Sequence, residues 1–196
     1  MSENIELVKQ LAIANYNRKR YDAAITGFEE CLAHFESVAD ELGAAEARNN
    51  LSVTHLGMKN PQQAFDEVSK TAEIFARHGD RKREGMAIAN TAAALEALGR
   101  REEALELYEQ VLEIFKELGE KEMRASILRR VSDLQLKTKR GYQAIASMEA
   151  AFDQDDKPHI KDSVFRRVLT FLRKKTWRAI CHFQNALGMV REEPIH

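Results

Sequence analysis

Glycine, proline and cysteine are scarce in this 196-residue chain, with nine, three and two residues respectively. So few turn-formers leave little material for the many hairpins of an all-β fold. The two cysteines, Cys31 and Cys181, stand at no metal or redox spacing and make no disulfide framework. No stretch approaches the ~18 consecutive apolar residues of a membrane-spanning helix. The opening MSENIELVKQ places no basic segment before an apolar run, so no secretory signal is expected and the cytoplasm is the expected compartment. GxGxxG, Walker, GxSxG and HExxH motifs are all missing. His34, His55, His78, His159, His182 and His196 form no i, i+4 pair suited to zinc. His78, in the loop HGD, reads instead as a cation closing a helix. Carboxylates such as Glu102, Glu103 and Glu106 lie on a regular polar face and read as solvated surface. The expectation is a protein that is not an enzyme and uses no cofactor or metal.

An excess of charge of one sign is also lacking. Lys and Arg number 30, Asp and Glu 31, so the whole chain shows no polyanion-binding bias. The parts differ, however. Residues 1–120 hold 14 basic against 22 acidic residues, a net of −8, and residues 121–196 hold 16 against 9, a net of +7. This asymmetry suits either two solvated surfaces of opposite bias, an acidic partner for the far end, or head-to-tail self-contact.

What the chain has in abundance is helical periodicity. Residues 99–119, GRREEALELYEQVLEIFKELG, carry Ala104, Leu105, Tyr108, Val111, Leu112 and Phe115 on one stripe, with glutamates opposite. Acidic residues crowd the first turn, and Gly119 suits a left-handed stop. The stripe recurs at intervals of 40 residues. Ala24, Ile25, Phe28, Cys31, Leu32 and Phe35 precede it by 80, and Ala64, Phe65, Val68, Thr71, Ala72 and Phe75 by 40. Ala144, Ile145, Met148, Ala151 and Phe152 follow it. The partner helix repeats too, with small residues at Ala12, Ser52, Ala92 and Ser132. Helix pairs are therefore predicted over 4–18 and 21–38, 41–57 and 61–78, 81–98 and 101–118, and 121–137 and 141–153. The invariant alanines at 24, 64, 104 and 144 mark close helix crossings, where a larger side chain would cost ~1–3 kcal/mol by overpacking. Cys31 takes a small core position and reads as structural.

A small residue, a large apolar residue at helical spacing, a turn, then alanine with an aromatic four residues later resembles the tetratricopeptide repeat. NNLSVTHLG (49–57) and ALGRREEALELYEQVLEI (97–114) carry the resemblance best. The family's usual period is ~34 residues. The 40-residue period here is similar to that of longer-helix variants in bacterial regulators and eukaryotic adaptor scaffolds. Arg48, Asn15 and Gln135 at packing positions, and Val68 and Met148 in place of the aromatic, depart from the pattern. The resemblance implies an all-α, right-handed α-solenoid of four antiparallel hairpins. Its array is expected over 1–156, in repeats of about 4–40, 41–80, 81–120 and 121–156. Beyond the turn-forming DQDDKPH (153–159) the pattern breaks, since a fifth repeat would need alanine where Gln184 stands. Residues 157–196 are expected to form a capping helix or helix pair, because the last repeat of a solenoid exposes an apolar face.

The resemblance further implies that the first helix of each pair lines a concave groove. The 40-residue register then gives its rows: Lys9, Asn49, Ala89, Arg129; then Gln10, Asn50, Asn90, Arg130; then Ile13, Val53, Ala93, Asp133. Amides and cations there suit an extended peptide, with Asn bonding its backbone and Lys or Arg its carboxylates. Lys9, Asn49, Asn50, Asn90, Arg129 and Arg130 are the candidate groove residues, although they equally suit a merely solvated face. Lys9 and Asn50 fit the clamp by which some family members hold a terminal carboxylate. Ile13 and Met86 stand where that clamp expects Asn and Lys. A second candidate is the basic patch Arg166, Arg167, Arg173, Lys174, Lys175 and Arg178, interleaved with Phe171 and Trp177. It reads as a polar face, as a contact for an acidic partner or a second copy, or, last, as a nucleic-acid or membrane surface. The expected partner is a protein or peptide, held without chemistry, with regulatory peptide sensing as the alternative.

Overall fold

The computed structural model describes residues 2–154; the expected cap and the basic patch of residues 166–178 lie outside them. Among the described residues every element is a helix: α1 Ser2–Asn17, α2 Tyr21–Ser37, α3 Glu41–Gly57, α4 Pro61–Val68, α5 Thr71–Arg77, α6 Arg81–Ala97, α7 Arg101–Glu117, α8 Lys121–Lys137 and α9 Gly141–Gln154. They pair as α1/α2, α3/α4–α5, α6/α7 and α8/α9, and successive pairs stack through α2 on α3, α5 on α6 and α7 on α8. The molecule is a helical-repeat solenoid of antiparallel hairpins.

The 40-residue period of the sequence divides into two equal halves in space. Helices α2, α3, α6, α7 and α8 each span 17 residues, followed by a three-residue turn. Every turn places one residue in the left-handed region: Lys19, Ala39, Lys59, Gly79, Gly99, Gly119 and Lys139, at φ between 55° and 82°. The next N–H returns to a carbonyl five residues back, as Arg20 does to Asn15 at 2.9 Å and Asp80 to Phe75 at 2.9 Å. These are the paired bonds of the Schellman stop. The residue that closes one helix also opens the next. Asp40 and Asp80 accept from the backbone N–H of Gly43 and Arg83, each at 2.9 Å, and so cap α3 and α6. Glu120, in the same register, makes no such cap for α8.

The recurring alanines sit at the hairpin crossings. Ala24, Ala64 and Ala104 are fully buried and Ala144 is 1% exposed. The partner helix offers Ala12, Ser52, Ala92 and Ser132, all buried. The approach is close: a methyl added at Gly27 would come within 2.8 Å of the Ala12 Cβ. Ser132 instead donates to the Ala144 carbonyl at 2.7 Å. Cys31 is buried, as its place on the stripe requires, and burial pushes its thiol above the ordinary range. Arg48 is held in its packing position by Glu36 at 2.8 Å and Glu67 at 3.0 Å, tying α2 and α4 to α3. Gln135 accepts from the Ser147 hydroxyl at 2.9 Å.

Two features differ from the sequence expectation. The helix expected over 61–78 breaks at Ser69 and Lys70, separating α4 from α5. There the Thr71 hydroxyl donates to the Val68 carbonyl at 2.9 Å and shares the Asn49 side-chain oxygen at 3.1 Å. Such local side-chain bonds compete with the helical ladder. Leu11 aligns with the buried Leu51 and Val131, yet it is 59% exposed, and Leu7 beside it is 64% exposed. At the equivalent positions of later repeats Ala47, Ala87 and Ile127, and Leu51 and Val131, are buried, whereas among the described residues α1 packs chiefly on α2.

Candidate functional site

Two adjoining clefts run across the first helices of the hairpins. The first, of about 520 Å³, is lined by Glu46, Asn49, Asn50 and Val53 of α3 and by Lys82, Arg83, Met86 and Asn90 of α6. The second, of about 370 Å³, is lined by Val53, Leu56 and Gly57 of α3, Ala89, Asn90 and Ala93 of α6, and Ile127 and Arg130 of α8. Tyr16 and Tyr108 complete it. Val53 and Asn90 border both clefts, so the two form one groove. The α3–α6–α8 spacing that exposes this row follows from the 40-residue register itself.

The polar groups of the groove fall into two kinds. Some are already spent on the fold. Lys9 bridges Glu6 at 2.9 Å and Glu46 at 3.4 Å, and the Glu6 hydrogen bond holds its ammonium above the ordinary range. Glu46 continues to Arg83 at 3.9 Å, and Arg83 lies over the Phe75 ring. Asn49 is engaged by Thr71. Others are open. The side-chain amides of Asn50 and Asn90 make no hydrogen bond among the described residues, although both line the groove.

Arg130 belongs to a separate node. Its Nη1 donates to the Tyr108 hydroxyl at 3.2 Å, which in turn donates to Glu96 at 3.4 Å. Glu96 accepts from Lys137 at 3.1 Å and stands 3.8 Å from Arg130. Tyr108 is fully buried, and that burial pushes its phenol above the ordinary range, so it is a neutral partner. The Arg130 side chain is 53% exposed.

Of the residues singled out in the sequence, Asn49, Asn50, Asn90 and Arg130 come together along the groove. Lys9 stands at its edge, bound to Glu46, and Arg129 is half-buried and lines neither cleft. Glu96, Lys137 and the Tyr108 hydroxyl were not singled out. The register held a signal for Glu96, which stands in the row Tyr16, Leu56, Glu96, Leu136, a lone charge among apolar residues. The glutamates Glu102, Glu103 and Glu106 are exposed, as a solvated face requires. His78 ends α5, its Nδ1 2.9 Å from the Ile74 carbonyl. Among the described residues no three His, Cys, Asp or Glu side chains converge as metal ligands. None of the described helices is long and apolar enough to cross a membrane.

A stack of equal helical hairpins with a groove across its first helices defines a repeat scaffold of the kind that holds other chains. Models of the tetratricopeptide repeat match residues 4–77 and 86–118, and the chain belongs to the tetratricopeptide repeat family. Solved structures share the fold. The apo form of RapI superposes with a TM-score of 0.73 at 19% identity, over 95% of this chain and 70% of that one. The tetratricopeptide-like repeats of a putative kinesin light chain from Podosopora anserina give 0.72 at 16% identity, over 96% and 92%. A Rap protein complexed with competence and sporulation factor gives 0.68 at 18% identity over 76% of this chain. This chain spans 42% of that Rap protein's length. No curated protein matches the chain in sequence.

Proposed function

We propose that this chain is a non-catalytic scaffold that holds an extended peptide segment of a partner protein in the groove over α3, α6 and α8. The observation that carries this reading is the pair Asn50 and Asn90. They occupy one position in successive repeats, face the groove, and keep their amides unspent on other described residues. A side-chain amide offers both donor and acceptor, which matches the N–H and C=O that every peptide residue carries. Tetratricopeptide repeats are protein-binding modules, and family membership supports the same reading. Binding of this kind requires no covalent step.

A second reading is regulatory. Successive repeats are joined by partly exposed ion pairs, Arg83–Glu46 at 3.9 Å between α6 and α3 and Lys137–Glu96 at 3.1 Å between α8 and α6. Exposed pairs contribute little each, about 0–1 kcal/mol. A ligand bridging α3, α6 and α8 would reset them at small cost and alter the curvature of the stack. Binding of a signalling factor by a Rap protein is a parallel at the level of fold.

The test is retention of a blocked peptide library on the immobilised full chain. Asn50→Ala with Asn90→Ala is expected to abolish retention and to leave the circular-dichroism melt unchanged, since neither amide bonds to the described fold. Retention equal to that of the wild type defeats the groove reading.

A further inference from the structure

Taking the groove as the peptide site, we propose that its ligand carries an aliphatic side chain beside an internal aspartate or glutamate, the first seated in the second cleft and the second on Arg130.

The cleft exists because one helix departs from its register. At the position of Lys9, Asn49 and Arg129 the third repeat has Ala89, and at that of Ile13, Val53 and Asp133 it has Ala93. Two missing side chains on α6 open a space of about 370 Å³ whose apolar wall is Val53, Leu56 and Ile127, flanked by the rings of Tyr16 and Tyr108. An aliphatic group filling it removes apolar surface from water on both sides, at roughly 25 cal/mol per Å².

At the α8 edge of the same cleft stands Arg130, a cation with N–H donors left open. Its only hydrogen bond among the described residues goes to a neutral phenol, and Glu96, with which it forms an ion pair at 3.8 Å, is hydrogen-bonded to Lys137. At 3.8 Å from Arg130, Glu96 is beyond hydrogen-bond length, and Asp133 acts on the guanidinium only through its field. The planar fork of arginine has five N–H groups matched to a carboxylate. Half-exposed, and with no second cation lining the cleft, Arg130 gives one-sided contact. That suits a side-chain carboxylate on a strand that runs on across the groove, and not a chain terminus, which needs to be enclosed.

The experiment uses two libraries of decapeptides, one acetylated and amidated, the other with free C-termini, retained on the immobilised full chain and sequenced. The expected result is enrichment of adjacent Leu, Ile, Val or Met with Asp or Glu in the blocked library. In a fluorescein-labelled enriched peptide, Asp→Asn or Glu→Gln lowers affinity on the order of ten- to hundredfold, as loss of a charged hydrogen bond does. Leu→Ser in the peptide lowers it similarly. In Arg130→Gln the acidic enrichment disappears and the aliphatic one stays. Peptides that bind through Asn50 and Asn90 without an acidic–aliphatic pair overturn this proposal and leave the groove reading standing. So does acidic enrichment unchanged in Arg130→Gln, or preference for the free C-terminus. Failure of both libraries to be retained overturns this proposal and the groove reading together.

Discussion

Ala39→Gly is expected to stabilise the protein, and the amount follows from the turn. Ala39 is exposed and sits at φ 55°, with its N–H bonded to Glu36 and the next N–H to Phe35. An L-residue in this region costs about 1–2 kcal/mol. Glycine adopts it freely but adds roughly 0.5–1 kcal/mol of unfolded-chain entropy. The net gain is about 0.5–1 kcal/mol, or roughly 1–4 °C in Tm for a chain of this size. The mirror change, Gly99→Ala, starts from φ 82°, beyond the left-handed well near 57°. No atom lies within 4 Å of where its methyl would go, so any loss is conformational and not steric. By the same balance it is expected to cost about 0.5–1 kcal/mol net. Urea titration followed by far-ultraviolet circular dichroism reads both. A midpoint that falls for Ala39→Gly, or stays fixed for Gly99→Ala, would refute the view that these stops are held in left-handed geometry against side-chain preference.

Two further predictions concern caps and titration. Asp80→Ala removes the acceptor of the Arg83 N–H and should lower stability by about 0.5–2 kcal/mol. Glu120→Asp should raise it by giving α8 the cap that Asp40 gives α3, and a matched pair of thermal melts decides both. The Tyr108 phenol is pushed above its ordinary value of 10.0, first by burial, so the folded state holds this proton more tightly than the unfolded state. Its contribution is then complete below about pH 10 and lost as pH rises through the folded value. Wild type should lose urea stability as pH rises above about 10 more steeply than Tyr108→Phe does, and parallel slopes would exclude the assignment.

The architecture was legible because each structural constraint recurs. Alanine at 24, 64, 104 and 144 is demanded four times by the same crossing, so it stands out against any single exception. The break at Ser69 and Lys70 was not legible, because Thr71 also satisfies the helical stripe. What makes it a breaker is the Asn49 oxygen on the neighbouring helix, a contact that no periodicity reveals. The site was half legible. Register brought Asn50, Asn90 and Arg130 into one row, but which amides are spent depends on contacts 20 or more residues away. Asn49 and Asn50 are indistinguishable as residue types, and only the Thr71 hydroxyl separates them. Tyr108 read as packing alone, since its ring is on the stripe, and its hydroxyl acquires a role only where Arg130 and Glu96 meet it.

The helix with the clearest pattern is not the one that borders the groove most, and packing explains why. α7 is packed along one side, with Ala104, Leu105, Tyr108, Val111, Ile114 and Phe115 buried and its glutamates in water. Its stripe is therefore sharp. α6 packs on its hairpin partner α7 and also on α3, α4 and α5 of the preceding repeat, burying Gly85, Ala87, Ala92, Ala94 and Leu95 around much of its circumference. Small residues on several sides erase the contrast on which an amphipathic signal depends. Its remaining side, with Ala89, Asn90 and Ala93, is the groove. The helix that borders the groove most thus shows a weak pattern. The informative signal is therefore departure from register: two alanines where the other repeats place longer side chains, next to an arginine that shares its carboxylate partner with Lys137.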